Sequence, residues 1–300
     1  MRASIDPRSQ RKCHVLSATG GSLVVCLVTP AAVYLSADSR YAHAPLSFRD
    51  SARKLIACGP TALCGLSGLL RFTRTEWDPS GDQLPRHITF ELSDVVEGLD
   101  FENVAGYEPG LAGLFAERVH IALTPIWKRF AMDLNEPFGY GVRKELMAAR
   151  SLRLAQLFYV NREASGRAFL ATIDLTHSLC RSNSGHYNSV LKAPAVRRLL
   201  FSAVEQPRLF VRGARQCVRS EPPCGSVGRD AEALQILEAV FQRARHATRC
   251  AAAIGGPVDI AVIDTGGRRW LRQKPECRLP KTGPSVLKVP ERNGPIPPSE

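Results

Sequence analysis

Between residues 23 and 70 the chain alternates short apolar runs with turns, and each run has the length of a strand. Leu23 to Val28 is continuously apolar and β-branched, which predicts a buried strand. Thr29-Pro30 turns the chain, and Ala32 to Ala37 returns as a second strand. The segments Lys54–Pro60 and Ala62–Gly68 predict another strand pair around the Gly59-Pro60 turn. Helical spacing begins at Leu111 and continues through Leu114, Phe115 and Val119, with Pro125 expected to kink or end it. A further helix is predicted over roughly 142–155, followed by a hairpin of Leu157–Val160 and Ala168–Ile173 around Asn161–Gly166. Asp230 suits a helix cap, and Leu234, Leu237, Val240, Phe241 and Ala244 share one face of the helix after it. That helix is expected to run to Gly255-Gly256-Pro257. Val258–Asp264 then reads as a buried strand, turned at Thr265-Gly266-Gly267 into Arg268–Arg272.

The order is strands, helices, strands, helix, strands, with no internal repeat. It predicts an α+β fold of two stacked sheets with helices outside, a four-layer αββα sandwich. Residues 1–21 are polar and basic and read as a leader, ahead of one domain over 22–272. Residues 72–108, with Pro79-Ser80-Gly81-Asp82, look like an insertion, and 180–228 gives no readable pattern. Residues 273–300 shift to Pro, Lys and Gly, the composition of a disordered tail.

The net charge of +12 invites a nucleic-acid reading, but aromatics are only 7% and no basic-aromatic platform exists. A solvated basic surface with a basic tail accounts for it. The nine cysteines are scattered without a C-x-x-C pair, which argues for a reducing compartment and against a disulfide framework or zinc site. The seven histidines include no His-x-x-x-His pair, so neither metal nor cofactor is expected. Arg8, Arg11 and Lys12 precede the first apolar run as they would in an export signal. However, Pro30 interrupts the run, and Leu35 stands where a cut after Ala37 wants a small residue, so a cytoplasmic chain is expected. No run reaches the ~18–20 apolar residues of a membrane span.

Four residues stand at regular distances. Gly21 precedes Ser22; sixteen residues on is Asp38, in Ser36-Ala37-Asp38-Ser39-Arg40; sixteen further is Lys54; fourteen further is Gly68, in Leu66-Ser67-Gly68. This ruler resembles that of the proteasome β-type subunits, members of the N-terminal-nucleophile hydrolases. Gly255-Gly256-Pro257-Val258-Asp259 is similar to the double-glycine strand that follows that family's long fourth helix. The likeness covers about 21–70, 155–175 and 229–272.

What the resemblance implies is a self-processed endopeptidase. Removal of residues 1–21 would expose Ser22, whose own α-amino group, titrating near ~7.7–8, is the base for its hydroxyl. Lys54 would favour the neutral amine and stabilise the alkoxide, and Asp38 would hold Lys54. The Gly68 N–H would bind the oxyanion, a donor commonly worth about 3–4 kcal/mol. Arg40 would brace the site. By register Tyr41, Ala52, Ile56, Leu66 and Leu70 would line an apolar specificity pocket, although core packing explains them equally. The resemblance further implies a polypeptide substrate, a homo- or hetero-oligomeric ring and an ATPase partner.

The chain departs from that pattern in three places. Ser replaces the usual Thr and lacks the methyl that fixes the rotamer. Ala251 and Ile254 stand where the family has an Asp and a Ser supporting the terminal amine. The Gly-Ser-Gly loop is visible only faintly, as Asn183-Ser184-Gly185 or around Ser182, and His186 beside it is a weak hint of a Ser–His pair. Two rivals therefore stay open: an inactive subunit of the same fold that keeps its leader, and an amidase acting on a small amide.

Overall fold

The computed structural model describes residues 22–42, 48–68, 70–76, 86–99, 110–131, 152–181, 187–213, 227–247 and 254–274. In chain order the first strands are β1 (Leu23–Val28), β2 (Val33–Asp38), β3 (Tyr41–Ala42), β4 (Phe48–Arg49), β5 (Leu55–Ala57), β6 (Ala62–Gly68), β7 (Arg71–Glu76) and β8 (Arg86–Glu91). Helices α1 (Leu92–Glu97) and α2 (Leu111–Ala131) follow. Next come β9 (Leu152–Arg162), β10 (Ala168–Arg181), β11 (Tyr187–Leu191), β12 (Ala195–Ser202) and β13 (Arg208–Gly213). The last elements are α3 (Asp230–His246), β14 (Val258–Asp264) and β15 (Gly267–Arg272).

Two antiparallel sheets carry the fold. One has the order β13-β1-β2-β14-β15. The other has the order β11-β10-β9-β6-β5, with β12 also pairing β10. Alternation along each strand divides the apolar side chains between two faces. Val24, Cys26, Val28, Leu35, Ala261 and Ile263 from the first sheet meet Leu55, Leu63, Phe158, Val160 and Leu170 from the second in a central core. On its other face the first sheet is covered by α3 through Leu237, Val240, Phe241 and Ala244. The second sheet's other face meets α1 and α2 through Val96, Phe115, Val119, Leu123 and Trp127.

The four-layer αββα expectation is corrected by this architecture. Fifteen strands stand against three helices among the described residues, the fold is predominantly β, and one sheet curls into a half-barrel. A single helix covers one face and one helix with a short companion covers the other, so the helices are covers over a β structure rather than full layers.

Several local expectations also change. Residues 152–155, expected to end a helix, open β9, and the rest of the 142–155 prediction lies outside the described residues. The helix over Leu111–Ala131 runs through Pro125. The ring there removes one bond to the carbonyl of Ile121, on the helix's exposed side, where water can satisfy it. Asp230 is the first helical residue rather than the cap; Glu232 Oε2 accepts from the N–H groups of Gly228 (2.7 Å) and Arg229 (3.3 Å). The polar 72–108 stretch contains the β7–β8 hairpin and α1, and it reaches the core through Leu92 and Val96. The segment that gave no pattern supplies β11, β12 and β13. Cys26 and Cys64 are core thiols, as expected. Among the described residues no helix is long and apolar enough to cross a membrane.

Candidate functional site

The sixteen-residue interval from Ser22 to Asp38 is a hairpin. Six residues go out in β1, Thr29 closes the turn through its hydroxyl and backbone with Ala32, and six return in β2. With Val24 opposite Ala37, the hairpin ends bring Asp38 beside the residues that open β1. The Leu23 N–H donates to Asp38 Oδ1 at 2.8 Å, which fixes the carboxylate next to Ser22. Ser22 itself is buried.

From β2 the chain makes the small β3–β4 excursion and returns along residues 50–54. Ala52 N–H donates to the Ser39 carbonyl at 2.9 Å, drawing this return segment against the end of β2. Lys54 then reaches inward. Its ammonium donates to Asp38 Oδ1 at 2.9 Å and to the Arg40 carbonyl, and its side chain is 1% exposed. The oxygen that holds the Leu23 amide therefore also holds the Lys54 ammonium. The second carboxylate oxygen accepts from the N–H groups of Arg40 and Gly255, each at 3.3 Å. Four donors, one of them charged, stand against the desolvation of this buried carboxylate. Burial lowers the Lys54 pKa, and the Asp38 charge and hydrogen bond act against that shift. The result is a lysine whose proton is less tightly bound than in water.

The double glycine has a steric reason. Ser39 N–H donates to the Gly255 carbonyl at 3.2 Å, joining β2 to the start of β14. A β-carbon on Gly255 would overlap the Arg40 guanidinium. One on Gly256, where φ is +70°, would meet Ser39 Oγ and Asp50. Arg40 grips Asp50 with two parallel bonds of 2.7 and 2.9 Å, so it braces the return segment. Asp50 was not anticipated.

The remaining predicted residues divide. Leu66 N–H donates to the Lys54 carbonyl at 2.7 Å, so β6 runs beside Lys54 and Gly68 lies two residues further along it. Gly68 has φ +101°, a β-carbon there would meet the Leu154 carbonyl and Ala155 of β9, and its place along β6 links it to the group. Ile56, Leu66 and Leu70 are buried in one cluster with Phe115 and Val119 of α2, which favours their packing role. Ala52 is buried against the site, and Tyr41 is placed by its backbone only, opposite Arg49 in β3. Ile254 is buried among apolar neighbours on the α3 side. Gly21, Ser182, Asn183, Ser184, Gly185, His186 and Ala251 lie outside the described residues.

One part of the site was missed altogether. Lys274, assigned above to the tail, is buried, and its ammonium lies 3.0 Å from Asp259 Oδ2. In the sequence Asp259 stands out only as the acidic residue of the double-glycine motif.

No protein-family model matches the chain, and no curated protein matches it.

Proposed function

We propose that the chain is a proteasome-like peptidase subunit whose nucleophile is Ser22, exposed by removal of residues 1–21. One observation carries the reading: Asp38 Oδ1 accepts from both the Leu23 amide and the Lys54 ammonium. A buried cation is thereby held beside a residue that can become a chain terminus. In this reading the Ser22 amine takes the hydroxyl proton, and the hydroxyl oxygen attacks the substrate carbonyl. The amine then gives that proton to the leaving nitrogen as the C–N bond breaks, and a water molecule, its proton taken by the same amine, splits the resulting ester and restores the Ser22 hydroxyl. Lys54 disfavours a second positive charge on that amine and steadies the oxygen as its own charge develops. Gly68 supplies the oxyanion donor. The substrate is a polypeptide, the assembly an oligomeric ring served by an ATPase, and the compartment the cytoplasm.

The test is turnover of fluorogenic peptides. Ser22→Ala and Lys54→Met are both expected to abolish it, and turnover that survives Ser22→Ala would refute the assignment. Hydrolysis of small amides without peptide cleavage would instead favour the amidase. A second reading has its own support: Ile254 offers no polar group to a terminal amine, and Ile56, Leu66 and Leu70 are packed into the core. An inactive subunit that keeps its leader fits those facts, and absence of both activities would favour it.

A further inference from the structure

Lys274 and Asp259 are a second buried ion pair, 1% and 2% exposed at their side chains, that the proposed chemistry does not use. Asp259 lies on β14 opposite Ala37 of β2, one residue from the Val258–Asp38 pairing. Its Oδ1 accepts from the Lys274 backbone N–H at 2.8 Å while Oδ2 faces the ammonium, a two-point grip on the chain leaving β15. The same ammonium donates to the carbonyl of Ala52. Ala52 is thus held on both sides, by Ser39 through its N–H and by Lys274 through its carbonyl, two residues before Lys54.

We propose that Lys274 is a positioning residue: with Asp259 it clamps segment 50–54 against β2 and β14 and so sets where Lys54 stands. Its consequence for catalysis rests on the peptidase reading; the clamp itself does not. Among the described residues the charges that act on Lys54 are Asp38 at the end of β2, Asp50 on the return segment and Lys274 after β15; Arg40 pairs Asp50, and Asp259 on β14 pairs Lys274. Among these, Lys274 is a like charge that loosens the Lys54 proton and Asp38 is the main opposite one.

The test uses the full chain with Lys274→Met, and with Asp259→Asn/Lys274→Met, which removes both charges and keeps the shape should the single variant fail to fold. Two readings are taken by NMR: the titration of the Lys54 ε-carbon and the exchange protection of the Ala52 amide. In Lys274→Met, Lys54 is expected to titrate higher, because a nearby like charge is lost. The Ala52 amide is expected to exchange at least ten-fold faster. If the Lys54 titration is unchanged in Lys274→Met, or the Ala52 exchange is unchanged in the double variant, the proposal is overturned. Neither measurement requires turnover, so an inert parent protein would sink the peptidase reading and leave the clamp standing. Unaltered Lys54 titration in a protein that cleaves peptides would do the reverse.

Discussion

Removing the Asp38 carboxylate, as in Asp38→Ala, strands four donors at once: the Lys54 ammonium and the N–H groups of Leu23, Arg40 and Gly255. Breaking a buried ion pair from one side costs about 3–5 kcal/mol, and each orphaned buried N–H adds about 1–3 kcal/mol. Against a total stability of about 5–15 kcal/mol, Asp38→Ala is expected to lose at least about 5 kcal/mol. Lys54→Met removes one donor and leaves the carboxylate with three, so its loss is expected near the lower bound, about 3 kcal/mol. Asp38→Asn adds a dependence on pH. Burial already lowers the Lys54 pKa, and Asp38 is the chief influence against it, so the substitution lowers it further. The unfolded chain then binds a proton that the folded one refuses, between that lowered value and the ordinary 10.5. In that window stability rises with pH, by up to about 1.4 kcal/mol per unit. Urea unfolding at pH 6, 7.5 and 9, followed by tryptophan fluorescence, measures all three variants. Equal and small losses for Asp38→Ala and Lys54→Met, or a flat pH profile for Asp38→Asn, would refute the reasoning.

Two further outcomes concern the scaffold. His177 of β10 is buried with its ring centroid 5.2 Å from that of Trp127, and burial lowers its pKa from 6.5 to about 4. The unfolded chain accepts a proton the folded chain refuses in that window, so stability is lost as pH falls from about 6.5 to about 4. The loss is about 3 kcal/mol. Urea midpoints at pH 7 and 4.5 should separate less in His177→Leu than in the parent, and equal separations contradict the assignment. A β-carbon at Gly65 would come 2.5 Å from Val24 Cγ1, between the two sheets. Gly65→Ala is therefore expected to cost about 1–3 kcal/mol by overpacking, with part of the loss recovered when Val24→Ala is added. No recovery in the thermal midpoint would show that the sheets do not approach there as described.

The hairpins near the site were legible because their signal is local. Leu23–Val28 and Val33–Asp38 are short apolar runs separated by a turn, and the sixteen-residue interval from Ser22 to Asp38 is the length of two arms and that turn. Residues 152–155 were misread because Leu-Arg-Leu-Ala fits either period over so short a span. The β7–β8 hairpin carries only Phe72, Ile88 and Phe90 among charged and polar residues, too sparse an alternation to announce it. The layering was overdrawn because sequence periodicity marks that a helix has an apolar face, while the extent of the layer it joins depends on tertiary packing. Lys274 and Asp259 were invisible for a different reason. Lone charges are seldom buried without a partner, and this partnership arises only when β15 returns along β14 to place residue 274 beside residue 259.

The most direct measurement is the intact mass of the purified protein after expression of residues 1–300. The account predicts a chain that begins at Ser22, and a chain still carrying residues 1–21 when Ser22→Ala is expressed in the same way. A protein that keeps its leader in both forms, or loses it equally in both, contradicts a self-exposed Ser22 nucleophile.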